Sequence, residues 1–129
     1  MPHRFRKHYT VAEARALLPQ VRSWLERLGQ LRGALAKHDE RLVALRTQAN
    51  DLGGEVVIAW VRVMADLQGV LLEFHQRDIQ VKDLDRGLLD FPALMDGKEV
   101  FLCWEQEEED IGFWHDLDAG YAGRERLEE

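Results

Sequence analysis

Val21, Trp24, Leu28, Leu31, Leu35, His38, Leu42 and Leu45 recur in alternating steps of three and four. This rhythm puts all eight side chains on one stripe of an α-helix, and a stripe so apolar must be covered by another element. The partner lies in the same chain. Val57, Trp60, Met64, Leu67, Leu71 and Phe74 repeat the steps after an interruption at Asn50–Gly54, whose glycines and Asn suit a chain reversal. Two antiparallel helices in a hairpin are therefore expected over residues 10–77.

The hairpin has a marked beginning. Thr10 and Glu13 have the spacing of a capping box, in which the Thr hydroxyl accepts from the Glu13 amide and the Glu13 carboxylate accepts from the Thr10 amide. Pro19 lacks an amide hydrogen and crowds the preceding turn, so a break is expected near Leu17–Pro19, leaving a short helix ahead of the hairpin. From Gln20 to Ala49 the pattern then runs on for about 45 Å at ~1.5 Å per residue. Its outward positions carry Arg22, Arg27, Arg32, Lys37, Arg41 and Arg46 among acidic residues, which reads as a solvated face. His38, a lone polar residue on the seam, is expected to fix register rather than to bind a ligand. The second helix is apolar over most of its circumference, adding Ile58, Val61, Val63, Val70 and Leu72 to its seam. One partner helix cannot cover that surface, so either the carboxyl-terminal module or a second chain must lie over it, and a homodimer through the hairpin is the favoured expectation.

After Asp78 the period changes to two. Ile79–Lys82, Gly87–Phe91, Glu99–Glu105 and Ile111–His115 are short, rich in β-branched and aromatic residues, and separated by turn signals that include Asp96-Gly97. Pro92 is expected to end the second strand. The fold class is thus α+β: the helical hairpin, preceded by a short helix, with a small antiparallel β-sheet over residues 78–129. A length of 129 residues fits a single domain, 1–129.

Charge and cysteine content narrow the partners. Residues 1–77 hold 12 Lys and Arg against 8 Asp and Glu, whereas residues 78–129 hold 5 against 16. The acidic half disfavours nucleic acid as a partner. Cys103 is the single cysteine, which excludes an internal disulfide and fits a reducing compartment. Met1–His8 is basic but no apolar leader core follows, and the apolar run Val56–Val61 is cut by Arg62 well short of a membrane span. A cytoplasmic protein without a membrane partner is expected. The basic head at Arg4–Lys7, flanked by His3 and His8, reads as a frayed terminus or a short edge strand.

Most of the candidate chemistry gathers in the second half. Trp104, Trp114 and His115 are expected close together across a strand pair, with Asp83, Asp90, Glu108 and Arg124 around them, either as a cleft of aromatic walls, carboxylates, an imidazole and a guanidinium or, as the plainer reading, with the tryptophans filling the core and His115 and Arg124 satisfying carboxylates and strand-end carbonyls. His115, Asp116 and Cys103 are metal-ligand types without the paired spacing of a zinc motif. A carboxylate, Asp90 or Glu108, can orient His115 for acid-base work, yet no nucleophile with an activating partner stands out. No cofactor is expected, with a metal as the alternative.

The run Tyr9-Thr10-x-x-Glu13-Ala14 with Leu17-Leu18-Pro19, then Val81-Lys82-Asp83, Gly87-Leu88-Leu89-Asp90-Phe91-Pro92, Leu102-Cys103-Trp104, Phe113-Trp114-His115 and Gly123-Arg124, resembles a family of small bacterial proteins catalogued as domain of unknown function 2203. The resemblance spans nearly the whole chain and brings no activity, ligand or cofactor with it. Before Ile111 it implies a Gly-Glu pair; Glu107-Glu108 stands there, so the carboxylate is kept and the tight glycine turn is not. The expected function is a non-enzymatic dimeric module that binds a protein or a small molecule. The alternative is an enzyme or metal-dependent binder centred on His115, Asp90, Glu108 and Arg124.

Overall fold

The computed structural model describes residues 2–48 and 54–128. Helix α1 spans Val11–Gln48 and helix α2 spans Gly54–Gln76; strands β1 (Gln80–Asp83), β2 (Leu88–Met95), β3 (Lys98–Trp104), β4 (Phe113–Asp116) and β5 (Glu125–Arg126) follow, with a 3₁₀ turn at Tyr121–Gly123. The class is α+β, as expected. The reversal at Asn50–Gly54 lies outside the described residues apart from Gly54. Among the described residues no helix is long and apolar enough to cross a membrane.

The capping box forms reciprocally: the Glu13 amide donates to Thr10 Oγ1 and the Thr10 amide to Glu13 Oε1, both at 3.0 Å. The break expected at Leu17–Pro19 is absent, and α1 runs through Pro19 as one helix with no separate short helix before it. Ala14, Leu18, Val21 and Leu25 continue one buried face across the proline, which itself is exposed. Burying Leu18 and Val21 is worth ~1.5–3 kcal/mol each. That offsets the ~3 kcal/mol typical of an interior proline.

The chain divides into two compact units, Met1–Ser23 with Phe74–Glu129 and Trp24–Glu73. The second unit is the helical hairpin. Trp60 Nε1 donates to Asp39 Oδ1 at 2.8 Å, and Arg27 Nη2 reaches Asp66 Oδ2 at 3.9 Å. Later residues of α2 therefore meet earlier residues of α1, and the helices are antiparallel. Leu25, Leu28, Leu31 and Val56 are buried here, while Leu35, Leu42, Leu45, Trp60, Met64, Leu67 and Leu71 are half-buried. His38 lies on the seam with its Nδ1 buried and unpartnered.

The first unit is built on an antiparallel sheet of order β1-β2-β3-β4-β5. Asp96 and Gly97, with φ of 52° and 81°, make the β2–β3 hairpin turn, a geometry that favours this dipeptide. Pro92 does not end β2. It pairs with Phe101 while its carbonyl accepts from the Tyr9 amide at 2.7 Å, so its backbone polar side faces away from β3. The ladder to β1 has already ended at Asp90, and a missing amide hydrogen there costs no strand bond.

Register assigns the faces. Leu89, Phe91 and Ala93 of β2 lie beside Trp104, Leu102 and Val100 of β3 on the inner face. The Tyr9 ring packs edge-on to Phe91 there, and the Arg22 guanidinium sits 4.9 Å over Trp104. Leu88, Asp90 and Pro92 share the outer face with Phe101, Cys103, Phe113 and His115. Apart from half-buried Phe113, these residues are buried as well. The amino-terminal segment is neither frayed nor a strand: Glu99 accepts from the amides of Arg4 and Phe5 and contacts His8 Nε2 at 2.8 Å, and Asp78 Oδ2 accepts from the amides of Arg6 and Lys7.

Candidate functional site

Three neighbouring strands each send one reactive side chain to the same spot on the outer face. Asp90 on β2 stands directly opposite Cys103 on β3, and His115 on β4 stands beside them, opposite Phe101. Asp90, Cys103 and His115 are 3%, 1% and 3% exposed. His115 Nε2 lies 3.0 Å from Asp90 Oδ1, and one candidate ligand atom from each of the three residues falls within 4.8 Å of the others.

The other imidazole nitrogen fixes the tautomer. His115 Nδ1 is 2.8 Å from the carbonyl oxygen of Asp116, which only accepts, so Nδ1 carries a hydrogen. Nε2 and Asp90 then share one further proton between them. Burial pushes the Asp90 carboxyl up from its ordinary range, and the charge and hydrogen bond of His115 only partly offset that. Burial, followed by the charge and hydrogen bond of Asp90, pushes the Cys103 thiol up to about 12. At neutral pH the sulfur keeps its proton, so it is not an activated nucleophile.

A second set of side chains adjoins this spot. Arg124 donates to Glu108 Oε1 at 3.0 Å and to the Tyr121 hydroxyl at 3.1 Å, and that hydroxyl donates to Glu105 Oε1 at 3.0 Å. The Arg124 guanidinium lies 3.9 Å from the Phe113 ring centre and 4.1 Å from that of Tyr121. Arg86 stacks 4.3 Å from Tyr121 and pairs with Glu105 at 2.6 Å. Each positive charge here already has a carboxylate.

Between the sheet and residues 117–121 lies a cavity of about 210 Å³. Asp90, Cys103 and His115 line it together with Leu88, Phe101, Leu117, Ala119, Gly120, Tyr121 and Lys82. The Lys82 ammonium lies 5.4 Å from the Phe101 ring centre.

Of the residues singled out in sequence, Asp90, Cys103 and His115 converge, and Glu108 and Arg124 pair beside them. Trp104 and Trp114 do not join His115. Both belong by register to the inner face, and Trp104 is fully buried with its Nε1 donating to the Glu108 carbonyl at 3.0 Å. The expected cleft with tryptophan walls beside His115 is therefore not the arrangement found, because alternate residues of a strand point to opposite faces. Asp116 is turned away from Cys103 for the same reason, and its carboxylate pairs with Lys98 at 2.9 Å. Asp83 accepts from the amides of Asp85 and Arg86 and shapes the β1–β2 turn. Lys82, Leu117 and Tyr121 were not anticipated; only the β3–β4 register, which places His115 against Phe101, points towards them.

Residues 7–127 match the model of the family described as Uncharacterized conserved protein (DUF2203). No curated protein and no solved structure matches the chain.

Proposed function

We propose that this protein, which belongs to the DUF2203 family, is a non-catalytic binding module that takes a small, partly apolar molecule with an anionic group into the cavity on the outer face of its sheet. The observation that carries this reading is the composition of that cavity. Its walls are Leu88, Phe101, Leu117 and Tyr121, with Lys82 as an unburied cation among them. Pockets of this kind hold a ligand by apolar contact and orient it through a few polar groups. On the floor, His115 uses both nitrogens and Cys103 is held protonated, which leaves neither a free base nor a nucleophile. The lone buried cysteine fits a reducing compartment, and we place the protein in the cytoplasm.

Ligand-detected NMR with a library of small carboxylates and phosphates tests the reading. Binders should be found whose signals are lost with Lys82→Ala, which removes the cation, and with Ala119→Phe, which fills the cavity. Binding that survives both changes would place the ligand elsewhere and overturn the assignment.

A specific observation also favours self-association. Ile58, Val61 and Leu72 on α2 are 53%, 51% and 48% exposed, and with the exposed Ala65 and Gln68 they continue the three-four step along one side of the helix. We propose that a second copy covers this stripe, giving a homodimer through the hairpin.

A further inference from the structure

We propose that Asp90, Cys103 and His115 form a binding site for one divalent metal ion of the zinc class, with a fourth coordination position open to the cavity. A thiolate, an imidazole and a carboxylate make a set that zinc or cobalt accepts and that calcium or magnesium does not. The three ligands come from adjacent strands of one sheet, so their placement is set by the ladder β2-β3-β4 rather than by a loop.

The distances suit the ion. Tetrahedral bonds of about 2.0–2.3 Å put neighbouring ligand atoms roughly 3.4–3.6 Å apart. The atoms here all lie within 4.8 Å of one another, and the Asp90–His115 contact at 3.0 Å needs to open by only about half an ångström.

Two observations besides proximity point to a cation. The Asp116 carbonyl holds the Nδ1 hydrogen of His115, so Nε2, which faces Asp90, is the nitrogen that takes a metal once the proton shared there is displaced. A histidine oriented through its remote nitrogen by a carbonyl is the usual support of a metal ligand. Secondly, a carboxyl, a thiol and an imidazole are packed together at 3% exposure or less around a proton that two of them share. A dication displaces the Cys103 thiol proton and the proton between Asp90 and His115 to solvent, and the resulting thiolate and carboxylate balance its charge within the site. Arg124, whose guanidinium interacts with the Cys103 thiol, is ion-paired with Glu108 at 3.0 Å, which offsets part of its repulsion.

The inference stands apart from the small-molecule reading, because the probe is the metal alone. The full chain, expressed without an affinity tag and stripped with a chelator, is titrated with Co²⁺. One equivalent should bind with a thiolate-to-cobalt charge-transfer band in the near ultraviolet and the visible bands of a tetrahedral ion, and Zn²⁺ should bleach both. Cys103→Ser should abolish the charge-transfer band, and Asp90→Asn and His115→Gln should each weaken binding by more than the roughly 10–100-fold that loss of an outer-shell partner costs. Asp66→Ala, whose carboxylate faces Arg27 in the helical hairpin, should bind as the parent does.

A parent protein that binds no stoichiometric cobalt at micromolar concentration, or binds it without the thiolate band, overturns the site. So does a parent signal lost with His8→Ala, since His3, His8 and Glu99 form the other group of three ligand types among the described residues. Should a ligand variant fail to fold, the parent spectrum alone decides.

Discussion

His115 Nε2 meets the Asp90 carboxylate at 3.0 Å across the full width of strand β3, 25 positions apart in the chain and with almost no solvent at either. Removing one member of such a pair strands the other, which typically costs ~3–5 kcal/mol, whereas removing both need not. Urea unfolding in the presence of a chelator should therefore give a large loss for His115→Leu and for Asp90→Leu, and a double variant well short of the sum. Additive losses would mean that the two groups do not depend on each other.

Burial along the α1 seam falls off beyond Leu31, which is 4% exposed, to Leu35, which is half-buried. Leu31→Ala should cost ~2–5 kcal/mol, in the range for buried leucines, and Leu35→Ala less than half of whatever Leu31→Ala costs. Equal losses in denaturant titrations would contradict this gradient.

Glu99 carries a pH prediction. Burial alone would raise its carboxyl, but hydrogen bonds from the Arg4 amide, the His8 ring and the Phe5 amide outweigh it and bring the group down from 4.5 to about 2. A carboxylate whose folded pKa lies below its unfolded value stabilises the fold above the unfolded pKa. That contribution fades as pH falls from about 4.5 towards 2. Relative to the parent, Glu99→Gln should be less stable at pH 6, with the gap closing below pH 3. A gap that stays constant across this range would remove Glu99 as the acid-sensitive anchor of residues 4–8.

Val61 lies in the middle of the exposed apolar stripe of α2. Sedimentation at micromolar concentration should give twice the chain mass for the parent and a single chain mass for Val61→Glu, with helicity unchanged. A monomeric parent would count against the homodimer.

Much of the helical part was legible because its determinants are local. A capping box needs only Thr10 and Glu13 three residues apart, the seam needs only the three-four step, and Asp96-Gly97 makes its turn from two residues whose φ angles favour it. The two prolines depart from the local rule for a complementary reason. Pro19 costs a fixed local amount that buried neighbours on both sides outweigh, and Pro92 sits where β1 has ended, so its missing hydrogen has no partner to lose. Neither fact is local.

The site was half legible. Asp90, Cys103 and His115 stand out as residue types, with Asp90 or Glu108 as a carboxylate partner for His115, but the sequence also sets His115 beside Trp104 and Trp114 and groups Cys103 with Asp116. Within a strand the alternation of faces is certain, whereas which face of one strand continues onto the next is set by register, and a shift of one residue inverts the answer. The observed pairing of Phe101 with His115 put the imidazole beside Cys103 and Asp90 and left the tryptophans on the inner face.

By itself, then, the order of residues determined the hairpin seam, the helix start, the switch to strands after Asp78 and the unequal charge of the two halves, since each follows from neighbours within about one or two helical turns. Only the tertiary structure decided that an acid, a thiol and an imidazole from three strands share one buried spot, because strand register depends on the sheet's whole ladder.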